Sequence, residues 1–476
     1  MEIYLPPPGP VIHFLPKTYL SYTLDISYLL GGHWWGKEQR NCRGLGIQKV
    51  EPLELKDPKL IRWASYLSPA FLRIGGTEAD RVYYRIKKKL PPPERTQVDY
   101  QLVLKKKQWK QIISFTRKVG ANLIFTLNCG WADRTETGDW DSLNAQRLIA
   151  YTARKKLPVA GWELGNEVNG YLFIEGVRFR VSALQYVNDF LKLSQLVQEL
   201  HPQARAIGPA SAFWPFVGEP HPIIPSLASC QDLNDKDVIS WHFYPLQSNR
   251  GRFALRRVSL KRSLSLTIFK EAEKFAKRIR KYLGNREFWL TEAGHALYGG
   301  EPGLSDTYVS TLWWLDLLGR MAKVGVSHVF RQTLVGSDYG LLYPDTLDPR
   351  PDYYASFLWK KLMGQGVCDL PPSPSKRVFW YCHTTEGKKK SFTYLIVNLN
   401  SQPITLYSPG PIKAQYILQA EGQVNSYNVL LNDTLVEPNL VTDWHKKKLK
   451  EIYNLRNKET SLVVPAYGCA FLVVRF

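Results

Sequence analysis

Apolar residues along the chain keep two rhythms. Short, nearly continuous apolar runs, rich in β-branched and aromatic residues and closed by Gly, Asn or other small residues, recur eight times. They are "YLSYTLDIS" (19–27), "AFLRIGG" (70–76), "NLIFTLNCG" (122–130), "VAGWELGNE" (159–167), "AIGPASAF" (206–213), "DVISWHFYP" (237–245), "EFWLTEAGH" (287–295) and "HVFRQTLVG" (328–336). Runs of this length and composition predict buried strands. Between them lie longer stretches with helical spacing, among them 143–156, 183–200, 266–283 and 306–324. In the second of these, Tyr186, Phe190, Leu193, Val197 and Leu200 alternate spacings of four and three, which is one apolar face of a helix. Strands alternating with helices eight times over predict an α/β chain built on a (β/α)8 TIM barrel. A doubly wound sheet is the competitor. It wants a Gly-rich phosphate loop after the first strand, and the only early GxG is Gly44-Leu45-Gly46.

The rhythm changes near residue 366. "SFTYLIVNLN" (391–400), "AQYILQA" (414–420), "SYNVLLND" (426–433) and "CAFLVVRF" (469–476) follow one another with no helical stretch between them. This predicts a C-terminal β-sandwich. The expected division is a catalytic barrel over 17–366 and a sandwich over 367–476, with residues 1–16 a candidate addition to the sandwich. No run of 18 apolar residues occurs, so no membrane span is expected. The opening "MEIYLPPPGPVIHF" lacks the basic and long apolar regions of a signal peptide.

Composition adds one constraint. Lys and Arg number 63 against 42 Asp and Glu, a formal charge of +21 over 476 residues. Such a surface suits an acidic partner: nucleic acid, an anionic membrane or an acidic polysaccharide. No nucleic-acid recognition motif accompanies the charge. The six cysteines, Cys42, Cys129, Cys230, Cys368, Cys382 and Cys469, show no CxxC or Cys/His spacing. No metal site and no cofactor are expected, and most of the thiols are expected to be buried.

The chemistry concentrates in "WELGNE" (162–167) and "FWLTEAG" (288–294). Functional residues of a (β/α)8 barrel sit at the C-terminal ends of the strands. Glu167 closes the fourth predicted strand and Glu292 the seventh, so both should reach one rim. Two carboxylates there suit glycoside hydrolysis, one protonating the leaving oxygen and the other attacking the anomeric carbon. Structural, salt-bridged acids are the alternative. Glu163 lies four residues deeper than Glu167 and is expected to be a buried acid paired with Arg73 or Arg331.

These two motifs, with "FLRIGGT" (71–77) before them and "RQTLVGSDYGLL" (331–342) after, resemble glycoside hydrolase family 79, the heparanases and β-glucuronidases of the 4/7-barrel clan A. The resemblance runs from about Tyr19 to the C-terminus. It implies a retaining β-glucuronidase with Glu167 as acid/base and Glu292 as nucleophile. Asn166 is then the partner of the hydroxyl beside the anomeric carbon. Tyr244 is the hydrogen-bond partner of the nucleophile, His242 a wall of the same site, and Asp25, Gln332 and Tyr339 are sugar contacts. The turn Tyr298, Gly299, Gly300 is the expected backbone cradle for a substrate carboxylate, although it lies one residue farther from Glu292 than the family pattern. The resemblance favours an acidic substrate, heparan sulfate-like or another glucuronide, and a secreted or lysosome-like setting. Endo or exo cleavage and the oligomeric state stay open. A silent glycosaminoglycan-binding protein, or a clan glycosidase acting on a neutral sugar, is the rival reading. The basic runs Lys87–Lys89 and Arg250–Arg257 follow the second and sixth strands and are expected at the catalytic rim. The short span 77–121 predicts activity as an intact single chain.

Overall fold

The computed structural model describes residues 1–35, 48–86, 100–385, 390–446 and 460–476. Cys42 and, within the span 77–121, residues 87–99 with Lys87–Lys89 lie outside the described residues.

Eight parallel strands close into a barrel: β1 Leu20–Asp25, β2 Ala70–Gly75, β3 Ala121–Leu127, β4 Gly161–Leu164, β5 Arg205–Phe213, β6 Val238–Phe243, β7 Phe288–Ala293 and β8 His328–Arg331. Each pairs with its neighbour in sequence, and β8 closes on β1 through Val329 opposite Leu20. The helices expected from the 3–4 spacing are present at Leu143–Arg154, Ala183–Leu200, Leu266–Leu283 and Tyr308–Val324. The interior of the barrel is stratified. Ile124, Ile207, Val238, Trp289 and Phe330 plug it at the N-terminal end. Above them the lining turns polar, with Arg73, Thr126, Glu163 and Ser240 all buried.

Two strands stop well short of the ends of their apolar runs. β4 ends at Leu164 because Gly165 takes a φ of +71°, and Glu167 follows at φ +53° as the chain enters a short 3-10 turn. Glu167 therefore stands in the loop just beyond the strand, not on the strand itself. A left-handed glutamate is uncommon, and such residues concentrate at functional sites. Likewise β8 stops at Arg331, leaving Gln332 as the first residue beyond it.

The C-terminal strands form an eight-stranded sheet packed on a three-stranded one. The N-terminal strands Glu2–Tyr4 and Val11–Phe14 join these sheets, the first beside Ile404–Tyr407 and the second beside Gly366–Cys368. Alternation sorts the large sheet cleanly. Val378, Trp380 and Cys382 face the three-stranded sheet, while Phe379 and Tyr381 join the core of the barrel. Cys129, Cys368, Cys382 and Cys469 are buried free thiols, and Cys230 is half-buried. Among the described residues no helix is long and apolar enough to cross a membrane.

Candidate active site

At the C-terminal end of the barrel lies a cavity of about 550 Å³. Its floor is organised by Arg73 on β2, which is fully buried. The guanidinium donates from Nε to Glu163 Oε2 at 2.6 Å, from Nη1 to Glu292 Oε2 at 3.0 Å and from Nη2 to Asn166 Oδ1 at 2.9 Å. Glu163 accepts in addition from Thr126 Oγ1 at 2.7 Å and Ser240 Oγ at 3.3 Å. Every oxygen of this deep acid is thus occupied by the barrel, which makes it an anchor for Arg73. Arg331 pairs instead with Asp352, at 2.6 Å.

Glu292 sits at the cavity with both oxygens engaged. Arg73 holds Oε2, and the Tyr244 hydroxyl donates a hydrogen bond to Oε1. Burial pushes its carboxyl above the usual range, opposed by the Arg73 charge and by the Tyr244 bond. Glu167 is placed differently. Its carboxyl meets His242 Nδ1 at 3.1 Å, and burial followed by the nearby Glu292 charge pushes it up to about 8. His242 is kept neutral by burial, then by the Arg73 charge. The pair therefore separates into an acid that keeps its proton at neutral pH and a carboxylate with a cation and a phenol to steady it.

An oxygen of each carboxylate and a ring nitrogen of His242 lie within 4.8 Å of one another, a grouping that also fits metal-ligand geometry. Chemistry disfavours a cation there: Glu292 already shares its oxygens with a guanidinium, and added positive charge would sit against Arg73.

Other predicted residues surround this pair. Asn166 spends Oδ1 on Arg73 and the Gly76 N–H, at 3.2 Å, which turns its amide NH2 towards the cavity. Its own N–H is fixed by Asp80 Oδ2 at 2.9 Å. Asp25 accepts from the Ser27 N–H at 2.9 Å, and burial raises its carboxyl well above the usual range. Gly76, at φ +97°, lets it stand there, since a Cβ at that position would lie 1.8 Å from Asp25 Oδ2. Gln332 accepts at Oε1 from the Thr23 hydroxyl and hydrogen-bonds Tyr339, and both line the cavity.

The Tyr298-Gly299-Gly300 turn departs in part from its expected part. All three residues have positive φ, at +65°, +84° and +80°. Tyr298 borders the cavity, whereas Gly299 and Gly300 are not part of its lining. The Gly300 N–H donates to Ala296 O at 3.0 Å, while Gly299 O accepts from Ser337 Oγ and the Asp338 N–H. His295 is buried behind the site against Ser305 Oγ at 3.0 Å, its ring pushed down to about 3 by burial.

The basic run 250–257 divides in two. Arg250 is buried in an ion pair with Asp338 and Arg256 in one with Glu271, both at 2.6 Å, so neither forms a basic rim. Arg252 and Arg257 border the cavity. Long arginines with an acid in reach fold inward when the loop is covered, and charge spacing in the sequence carries no sign of that. Sequence reading also missed Asp80, Thr126 and Ser240, which brace the floor. It missed the apolar residues of the mouth as well, Phe173, Trp214, Phe253 and Leu255.

Residues 25–319 match the model of glycosyl hydrolase family 79, N-terminal domain. The chain belongs to glycosyl hydrolase family 79. A baicalin-β-D-glucuronidase from Scutellaria baicalensis is 30% identical over 435 residues, covering 83% of this chain and 77% of that one. Mouse heparanase is 28% identical over 478 residues, covering 88% and 86%. Heparanase-like protein 1 of Arabidopsis thaliana is 28% identical over 410 residues, covering 81% and 71%. Among solved structures, a 4-O-α-L-rhamnosyl-β-D-glucuronidase from Fusarium oxysporum superposes with a TM-score of 0.65 at 13% identity over the whole of both chains. A family 51 arabinofuranosidase from Xanthomonas axonopodis gives 0.66 at 14%, covering 100% of this chain and 99% of that one. At such identity these two likenesses speak for the fold alone. The family 79 chain described here is a glycoside hydrolase with this barrel.

Proposed function

We propose that this family 79 hydrolase is a retaining β-glucuronidase in which Glu292 is the nucleophile and Glu167 the acid/base. The observation that carries the assignment is the unequal environment of two adjacent carboxylates. Retention calls for carboxyl groups about 5–5.5 Å apart, inversion for about 6.5–9.5 Å to admit a water. An oxygen of each carboxylate within 4.8 Å of the other favours the first. A Glu292 oxygen attacks the anomeric carbon as the glycosidic C–O bond breaks, and the Glu167 proton passes to the departing oxygen. A water then gives its proton to Glu167 and its oxygen to the anomeric carbon. The ester to Glu292 breaks, freeing its carboxylate and a β-configured sugar. Asn166 NH2 is positioned for the neighbouring hydroxyl, whose hydrogen bond strengthens in the transition state.

A glucuronic acid glycone is supported by family membership and by the baicalin-β-D-glucuronidase among the relatives. Tyr298 and the turn it opens, with Asp25, whose carboxyl burial raises, in the same pocket, are our candidates for the uronate. The test is hydrolysis of an aryl β-glucuronide against the matching β-glucoside, followed by proton NMR. The glucuronide should be cleaved at least tenfold faster in kcat/KM, with the β-anomer appearing first. Release of the α-anomer first, or a preference for the glucoside, overturns the reading.

A further inference from the structure

The cavity is lined differently on its two sides. Towards β1, β7 and β8 the hydrogen-bonding groups Asp25, Glu292, Tyr298, Gln332 and Tyr339 stand beside the rings of Trp34 and Trp35. On the other side it is bounded by the segments that follow β4, β5 and β6, and these bring Phe173, Ile174, Trp214, Phe253 and Leu255. The first two segments are locked to each other and to the acid. The Glu167 N–H donates to Ala210 O at 3.1 Å, the Ala212 N–H to Asn169 Oδ1 at 2.9 Å and Asn169 Nδ2 to Ala212 O at 3.0 Å. The walls are therefore fixed relative to the proton that Glu167 delivers.

Because that proton goes to the leaving oxygen, the group beyond the oxygen must lie along these apolar walls. Phe173 and Trp214 meet there with ring centroids 4.8 Å apart, yet Phe173 keeps 52% of its surface in solvent. At the same cavity, Phe253 is 73% exposed, with the flat Arg252 guanidinium 5.2 Å from its ring and its backbone carbonyl tied to the Tyr298 hydroxyl at 3.2 Å. Aromatic side chains grouped at a cavity mouth and left open to water mark a surface awaiting an apolar partner. The charged groups at this mouth are largely engaged. Arg81 is ion-paired with Glu175, and Arg257 donates to the carbonyls of Asn249 and Gly251. The lining suits neither a row of sulfates nor a hydrated sugar as well as it suits a flat ring system, which stacks on aromatic faces and on a guanidinium plane.

We propose that the leaving-group side of the cavity is a slot for a flat aromatic aglycone, held between Phe173 and Trp214 on one wall and Phe253 and Leu255 on the other. This rests on the β-glucuronidase reading for the sugar and extends it to the substrate class, a polycyclic aryl glucuronide.

The test compares phenyl and 2-naphthyl β-glucuronides, whose leaving groups are similar in acidity and differ in flat area. The naphthyl compound should be favoured about tenfold in kcat/KM, through KM, as an added apolar contact area of one ring allows. The ratio should fall to about two in Phe173→Ala and in Trp214→Ala. A glucuronide whose aglycone is a second sugar should be the poorer substrate. A naphthyl-to-phenyl ratio near one, a ratio untouched by both substitutions, or a preference for the sugar aglycone overturns the slot while leaving the glucuronidase reading intact. If only the corresponding β-glucosides are cleaved, the glycone assignment fails and the same ratio, measured on glucosides, still decides the slot. A readout free of turnover stands beside these. 2-Naphthol should bind Glu292→Gln protein at least fivefold more tightly than phenol, and lose that advantage when Trp214→Ala is added; equal binding of the two refutes the proposal.

Discussion

The floor and the mouth of the cavity are built to opposite rules. At the floor, Arg73 touches Glu163, Glu292 and Asn166, and each of these has further partners from β3, β6 or the loops. Charges packed so closely persist only because each is paired and hydrogen-bonded. At the mouth, Phe173 and Phe253 stand in water with few partners. Strands, whose spacing is fixed by their own ladder, carry Arg73, Glu163 and Glu292, and Glu167 and Asn166 follow directly in a turn tied back to Ala210 O and Asp80. Loops carry the contacts that choose what may enter.

The sharpest way to break the floor is Glu292→Gln. The amide keeps the shape but forms no glycosyl ester, and kcat should fall about 10³-fold or more on every substrate, with stability little changed. Glu167→Ala should be selective by comparison. Glucuronides of alkyl alcohols, which need a proton, should lose about 10²- to 10⁴-fold, whereas a nitrophenyl glucuronide should lose much less in its first step. Equal losses on both would remove Glu167 from the acid role. Titration makes the same division visible. Activity needs Glu167 protonated, so it should decline as pH rises through about 8, and that limb should shift to lower pH when Glu292→Gln removes the like charge beside it. The shift is readable as the carboxyl titration of Glu167 by infrared difference or carbon NMR.

Arg73→Met tests whether the floor is also structural. It strands two buried carboxylates and should cost about 3–5 kcal/mol in denaturant unfolding, part of which Glu163→Gln in the same chain should restore. The smallest effects belong to the rim. Charge reversal of Arg252 and Arg257 should change KM for anionic substrates less than tenfold, and less still at high salt. Reversal of Arg256 breaks its buried pair with Glu271 and should appear as lost stability in place of a salt-dependent KM.

Much of the floor was legible in the chain. Arg73 in the middle of "FLRIGG" and Glu163 in "WELGNE" are charges inside apolar strand runs, and such charges have to find each other. Glu167 and Glu292 announce themselves by closing such runs. The helices were equally readable, because a long apolar stripe fixes its own period. The exact place of Glu167 was not, since the break at Gly165 is a matter of local φ. Nor was the split of the 250–257 run, because which arginine turns inward depends on Asp338 and Glu271, far off in sequence or on another element. The apolar mouth was invisible for the same reason. A phenylalanine in a loop reads as core until the loop's position shows it standing in solvent.

The helix Tyr308–Val324 bears on how such a chain can be divided. It is buried around almost its whole circumference. The ring of Tyr381 lies against Gly319 with its hydroxyl on Asp316, and the Tyr308 hydroxyl reaches Leu418 O at 2.7 Å. One face of this barrel helix is thus upholstered by the sheet that follows the barrel. Whoever cuts the gene near codon 366 to obtain a smaller catalyst removes that upholstery and leaves a greasy, hydrogen-bond-poor flank on what remains. The barrel and the sheets behind it, with the N-terminal strands that join them, therefore pack as one unit.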